Sequence, residues 1–202
     1  MNKCPFFVAE DVISPLMCES IIDECGFYEP DYDQYGKPIP FVRTCDTAQQ
    51  MLYDKLDHII SAIEIYYSVE YKGMEPIAFE WYPQQTFGRV RCENGQRVDR
   101  KWVRTNTRDF TAVLFLTEYQ HTVPFDDEYE VYGGKLEFPT YQFSFNPTRG
   151  SIVVFPSDPH FINATSLVLA GDAIQARLQI VCSTPFVYRP QDYQGSFSTW
   201  FA

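Results

Sequence analysis

The hydrophobic period of the chain changes at Pro76, from near 3.6 residues to 2, and no other feature limits the fold as much. Before that point, Ser14-Pro15 reads as a cap followed by a first-turn proline, and Cys18, Ile21, Ile22 and Cys25 recur at helical spacing ahead of Gly26. A short amphipathic helix ending at its glycine is predicted. A polar stretch with Pro30, Gly36, Pro38 and Pro40 separates it from Leu52, Leu56, Ile59, Ile60 and Ile63, a second helix with Asp46 as its candidate cap and His58 on its polar side. After Pro76, Ile77, Phe79 and Trp81 alternate with Ala78 and Glu80. Strands are expected over 76–82, 87–92, 98–104, 109–117, 132–138, 141–145, 151–156, 161–168 and 175–183, broken by Asn94-Gly95, Gly133-Gly134, Asn146-Pro147, Arg149-Gly150 and Gly171-Asp172. Two helices ahead of many short strands predict one α+β domain over 1–202, its strands in a sandwich or jelly roll. Its parts would be a helical support (1–75), a jelly-roll core (76–184) and an aromatic tail (185–202).

A hydrophobic content of 45% is enough for a sizeable core, and 17% aromatic residues exclude disorder. The longest apolar runs, Ala112 to Leu116 and Ile152 to Phe155, fall far short of the roughly 20 residues of a spanning helix. The N-terminus meets Glu10 and Asp11 before any apolar stretch, so a cytoplasmic or virion location is expected and not signal-directed secretion. Cysteines 4, 18, 25, 45, 92 and 182 form no metal-binding spacing and read as free thiols. The net charge of −11 is uneven: between Arg89 and Arg108 seven cations face Glu93 and Asp99, so this segment is +5 and the remainder −16. Trp102 interleaves there with Arg100, Lys101 and Arg104. The acidic run Asp126-Asp127-Glu128 with Glu130 reads as a solvated surface. No nucleophile elbow, phosphate loop or dinucleotide fingerprint is present.

Five segments, in order, resemble the 2-oxoglutarate and Fe(II)-dependent dioxygenases of the prolyl-4-hydroxylase type. Phe6-Phe7-Val8 leading into Ser14-Pro15, Cys18 and Ile21-Ile22 is similar to their opening helix, and Trp81-Tyr82-Pro83 up to Gly88 to the strand entering the metal site. Arg108-Asp109-Phe110-Thr111 running to Leu116 resembles an internal strand, with Leu114 where relatives carry a cosubstrate-binding tyrosine. Gly133-Gly134-Lys135-Leu136-Glu137-Phe138 is similar to their G-G-x-L-x-F hairpin. Pro147 to Pro156 followed by His160 is similar to the strand that delivers the distal histidine. The resemblance covers nearly the whole chain and implies a double-stranded β-helix supported by two N-terminal helices.

In that family two histidines and a carboxylate hold Fe(II), the near pair written H-x-D or H-x-E. The pattern is absent here. Counting without gaps from Tyr82 and Gly88 puts Cys92 and Asn94 at the ligand positions, and a one-residue slip puts Arg91 and Glu93 there. A guanidinium stays protonated and cannot donate to a metal. His160 matches the distal ligand, and Arg177 is similar to the basic residue that grips the 2-oxoglutarate carboxylate. The expected metal triad is therefore degenerate, with His160 the one surviving ligand and no cofactor required. The first reading is a non-catalytic structural or interaction protein with a protein partner or a second copy of itself, through Arg97, Arg100, Lys101, Trp102, Arg104 and the tail residues Trp200 and Phe201. Relatives of this type are frequent in phage genomes, which is consistent with a collar, tail or baseplate component of a virion. The alternatives are an active hydroxylase of a peptidyl side chain, with Fe(II) and 2-oxoglutarate on His160 and Cys92 or Glu93, and an anion or nucleic-acid binder using the arginine-rich segment.

Overall fold

A computed structural model describes residues 4–123 and 127–193. Helix α1 spans Pro15–Cys25, its first backbone amides met by Ser14, whose hydroxyl accepts from the Met17 amide at 3.3 Å; Gly26 closes it at φ 63. Helix α2 spans Asp46–Tyr67 and is longer at both ends than its apolar spacing predicts. Asp46 is its first residue and not its cap, a position taken by Cys45, whose thiol bonds the Glu24 carbonyl and not the helix amides; the Asp46 carboxylate favours the positive end of the helix.

Both helices pack on one face of a seven-stranded sheet. Its path runs Phe7–Ala9, Ile152–Pro156, Phe110–Phe115, Ala173–Cys182, Ala78–Tyr82, Phe41–Arg43, and Tyr71–Met74 also pairs with the Ala173–Cys182 strand. Strand alternation divides the sheet by face. Phe79, Trp81, Ala112, Leu114, Ile174, Ala176, Leu178 and Ile180 form the core shared with Ile21, Leu52, Leu56 and Ile63 of the helices. On the opposite face Val113, Phe115, Val153 and Phe155 meet Leu136 and Phe138 of a smaller sheet made of Leu136–Phe138, Phe143–Phe145 and Ala164–Thr165. A further sheet of Glu118–Tyr119, Glu130–Gly133 and Val168–Gly171 extends this layer. The result is the expected α+β jelly roll, closed on one side by helices. At Gly133, with φ 92, any Cβ would lie 2.2 Å from the Leu167 carbonyl oxygen, which accounts for the glycine pair at this hairpin.

Four strand expectations are corrected, the first being 132–138, which is two strands in different sheets, Glu130–Gly133 and Leu136–Phe138, parted by Gly134-Lys135. The segment expected as one strand over 98–104 is a hairpin, Gly95–Val98 paired with Lys101–Arg104, turning at Asp99-Arg100 and not at Asn94-Gly95. Both turn residues adopt positive φ, 47 and 65, which matches the sheet twist without a glycine. The segment 87–92 forms no strand, only a single bridge between Arg91 and Asn163. The segment 161–168 divides into a 3-10 turn, Pro159–Phe161, and two short strands. From the C-terminal stretch, Tyr188 and Tyr193 are buried against Phe161 and Phe6 in the jelly-roll core, so this part of the tail packs on its own chain. Trp200 and Phe201 lie outside the described residues. No helix among the described residues is long and apolar enough to cross a membrane.

Candidate functional site

The face of the large sheet turned away from the helices carries a line of polar residues on its two central strands Ala78–Tyr82 and Ala173–Cys182. Gln175, Arg177 and Gln179 are alternate residues of the Ala173–Cys182 strand, and register sets Gln175 opposite Glu80 and Gln179 opposite Thr111. All five are buried. Arg177, 3% exposed, donates through Nε to both Glu80 oxygens at 3.1 and 3.2 Å. Its Nη1 donates to Glu93 Oε1 at 3.0 Å and to Asn163 Oδ1 at 3.2 Å.

Arg91 closes the cluster from the other side. It gives Nη2 to Glu80 at 2.6 Å and Nε to Glu93 at 2.9 Å, so two carboxylates are each held by the same two guanidiniums. Gln175 and Tyr82 donate to Glu80 at 2.6 and 3.0 Å, and Gln179 donates to Glu93 at 3.1 Å. Thr111 orients Gln179 by donating to its Oε1 at 3.0 Å. Charges this deep are tolerated only when paired and hydrogen-bonded throughout, and here nearly every lone pair and N–H is used. Arg177 Nη2 is the exception, buried without a partner.

Burial by itself would raise the Glu80 pKa, but the Arg177 and Arg91 guanidiniums overcome that penalty and bring it from 4.5 down to about 2. The same contacts push Arg91 upward against the effect of its own burial. Because the folded pKa of Glu80 lies below the unfolded one, its contribution of about 3 kcal/mol is complete above pH ~4.5 and is lost as pH falls toward ~2. Urea midpoints measured from pH 6 to 2.5 should fall along this limb, and Glu80→Gln should flatten it.

The ligand positions anticipated from sequence are placed differently by the fold. Of the two counting registers, Arg91 and Glu93 turn into the interior cluster. Cys92 instead contacts Asn94 Oδ1 at 3.8 Å and the Ser157 carbonyl at 3.7 Å, and burial raises its thiol pKa. His160 sits on the 3-10 turn with its side chain 52% exposed, hydrogen-bonded to Asp158 and away from the interior. The inward residue of that segment is Asn163, 0% exposed and joined to Arg91 by reciprocal backbone bonds of 2.9 and 3.0 Å. Sequence reasoning missed Asn163, Glu80, Gln175 and Gln179. The polar alternation inside 173–182 and the acid in the middle of apolar Ala78–Tyr82 were the available signals.

Among the described residues no three His, Cys, Asp or Glu side chains are grouped to hold a metal ion. The converging set is Arg91, Glu93 and Asn163, one cation, one carboxylate already paired, and one amide that accepts from Arg177. These donors do not fit Fe(II), because two guanidiniums occupy the space and repel a divalent cation. Arg177, the expected anchor for a cosubstrate carboxylate, is saturated by Glu80 and Glu93 on two of its three nitrogens.

Comparison of the fold with solved structures places it. A viral collagen prolyl hydroxylase of Paramecium bursaria Chlorella virus-1, in its 2OG complex, superimposes over 89% of this chain and 97% of its own at TM-score 0.63 and 14% identity. The fold is that of the prolyl hydroxylases. A Trichoplax adhaerens prolyl hydroxylase, solved with a hypoxia inducible factor oxygen degradation domain peptide, aligns over 89% and 84% at TM-score 0.62 and 13% identity. A Pseudomonas putida prolyl-4-hydroxylase aligns over 88% and 92% at TM-score 0.61 and 18% identity. No family model matches the chain, and no curated protein does. The prolyl-hydroxylase fold is therefore retained at a sequence distance where the interior chemistry is free to differ.

The arginine-rich segment is also redistributed by folding. Arg91 is half-buried and paired with Glu80 and Glu93, Arg104 pairs with Asp109 at 2.8 Å, and Arg108 pairs with Glu75 at 2.6 Å. Asp109 further accepts from the Cys182 and Phe186 amides, both at 2.8 Å, so Arg104 and Arg108 brace the sheet end. Arg97, Arg100 and Lys101 stay exposed on the hairpin, beside Trp102 at 43% exposure.

Proposed function

We propose that this chain is a non-catalytic structural or interaction protein built on the prolyl-hydroxylase fold. The observation that carries the reading is the Arg177–Glu80–Arg91–Glu93 cluster, which fills the barrel interior with compensated charge where the dioxygenase resemblance calls for a metal and a keto acid. Retaining three buried charges and a half-buried fourth, Arg91, is costly unless they hold one arrangement of strands together, and this cluster ties Ala78–Tyr82, Ala173–Cys182 and the 91–94 segment to one another. The shell is what such a protein offers to partners.

The test is turnover. Purified chain supplied with Fe(II), ascorbate and 2-oxoglutarate, with and without proline-containing peptides, should release no succinate above the rate of a heat-denatured control. Stoichiometric succinate formation that depends on the chain would refute the reading and restore a peptidyl hydroxylase.

A further inference from the structure

The hairpin Gly95–Val98/Lys101–Arg104 pairs only with itself, and seven of its eight strand residues are exposed, with Gly95 partly so. An isolated two-stranded ribbon is marginal in water, so one held open to solvent on both faces is a surface awaiting contact. Its cross-strand pairs set Arg97 against Trp102 and Val98 against Lys101. Val98, Trp102 and Val103 are 42%, 43% and 46% exposed, and Arg97, Arg100 and Lys101 have no ion-pair partner among the described residues. The ribbon with its turn holds four cations and one carboxylate, so of the net −11 the rest of the chain carries −14.

A complementary surface lies on the same chain. Residues 23–38 hold Asp23, Glu24, Glu29, Asp31 and Asp33 against Lys37 alone, and Tyr28, Tyr32 and Tyr35 among them are 73%, 62% and 77% exposed. Asp33 fixes the tip of this loop by accepting from the Tyr35 and Lys37 amides at 2.8 and 2.9 Å. Exposed tyrosines set among carboxylates match a ribbon of arginine, tryptophan and valine in both charge and side-chain type.

The two surfaces cannot meet within one molecule. Tyr32 and Pro38 share a groove with Pro83 and Asp172, at the end of the sheet where Ala173 pairs with Tyr82. The ribbon is rooted through Arg104 on Asp109, at the end where Ile180 pairs with Phe110. Seven residues of one strand separate these ends, roughly 23 Å. We infer that the ribbon of one copy docks on the acidic tyrosine loop of the next, a head-to-tail contact that generates a ring or an open filament. This deepens the interaction-protein reading by naming the partner as a second copy. The reading itself stands or falls on succinate release, which is independent of assembly.

Sedimentation velocity of the full chain at about 50 mM and about 1 M salt tests the contact, since exposed charge pairs are screened at the higher value. Oligomers are expected at low salt, collapsing to monomer at high salt. Arg97→Glu with Arg100→Glu and Lys101→Glu should give a monomer, as should Glu29→Lys with Asp31→Lys, both with native circular dichroism. Mixed together, the two variants should associate again, because each retains one intact surface and the two reversed surfaces are themselves of opposite charge. A native chain that stays monomeric at low salt overturns the inference, as do oligomers that survive the ribbon changes, or a mixture that does not pair. Monomer combined with a ribbon-dependent gel shift of short DNA would overturn it in favour of a nucleic-acid surface.

Discussion

Replacing Arg177 by methionine is expected to destabilise the chain by about 3–5 kcal/mol, the cost of leaving buried carboxylates without their counter-charge. Glu80 and Glu93 are 2% and 5% exposed, and each would lose a contact of about 3 Å to the removed guanidinium. In a chain of this length, each kcal/mol lowers the melting temperature by roughly 2–4 °C, so a drop of about 6–20 °C is predicted. Calorimetry measures it directly. Loss of Arg177 also withdraws the largest stabilising charge on Glu80, so the acid limb of stability should move to higher pH. Adding Glu80→Gln to Arg177→Met should restore part of the loss, because the two side chains act as one unit. A Arg177→Met variant that melts within about 2 °C of the native chain would show that the cluster contributes little.

The second large effect is a gain. Arg91→His combined with Asn163→His and Arg177→Gln removes both guanidiniums and should create a site for one divalent ion per chain, with Glu93 as its carboxylate. The geometric basis is convergence: Glu93 Oε1 and Asn163 Oδ1 both accept from the same Arg177 nitrogen, at 3.0 and 3.2 Å, and Arg91 Nε lies 2.9 Å from Glu93. Two imidazoles and a carboxylate at those positions are suitable donors for a first-row metal. Cobalt absorption spectroscopy reads the outcome, with Cys92→His and Asn94→Asp as the comparison. That second pair is expected to bind no metal, since Cys92 is directed at the Ser157 carbonyl and not at the cluster. Metal binding by the second pair and not the first would place the degenerate triad in the other register.

What could be read from sequence followed the range of the interactions involved. Both ends of α1 were legible because Ser14, Pro15 and Gly26 act within a few residues of themselves. The jelly roll was legible because alternation at period 2 persists through several strands and its motifs come in order. The site was legible only in outline. Between Pro83 and Asn94 the chain forms no regular strand, so counting side-chain direction from Tyr82 lost its phase, and Arg91 regains alignment only through its bridge to Asn163. His160 matched a motif position, but a 3-10 turn capped by Asp158 carries it to the surface and delivers Asn163 to the interior. Glu80 meets its partners 11, 95 and 97 residues away, separations at which no local pattern reports contact. The +5 segment dissolved for a related reason. Arg91, Arg104 and Arg108 find acids brought near by folding, leaving the hairpin as the basic surface.

The most direct measurement for the central claim is a manganese titration of the native chain in the presence of excess 2-oxoglutarate, followed by electron paramagnetic resonance of the free ion. With the interior occupied by two guanidiniums and their carboxylates, all added manganese should remain free at protein concentrations near about 100 μM, a level that would reveal any site of micromolar affinity. Depletion of one manganese per chain, reversed by removing the keto acid, would mean that the cluster opens to admit a metal beside the keto acid, and would contradict the account.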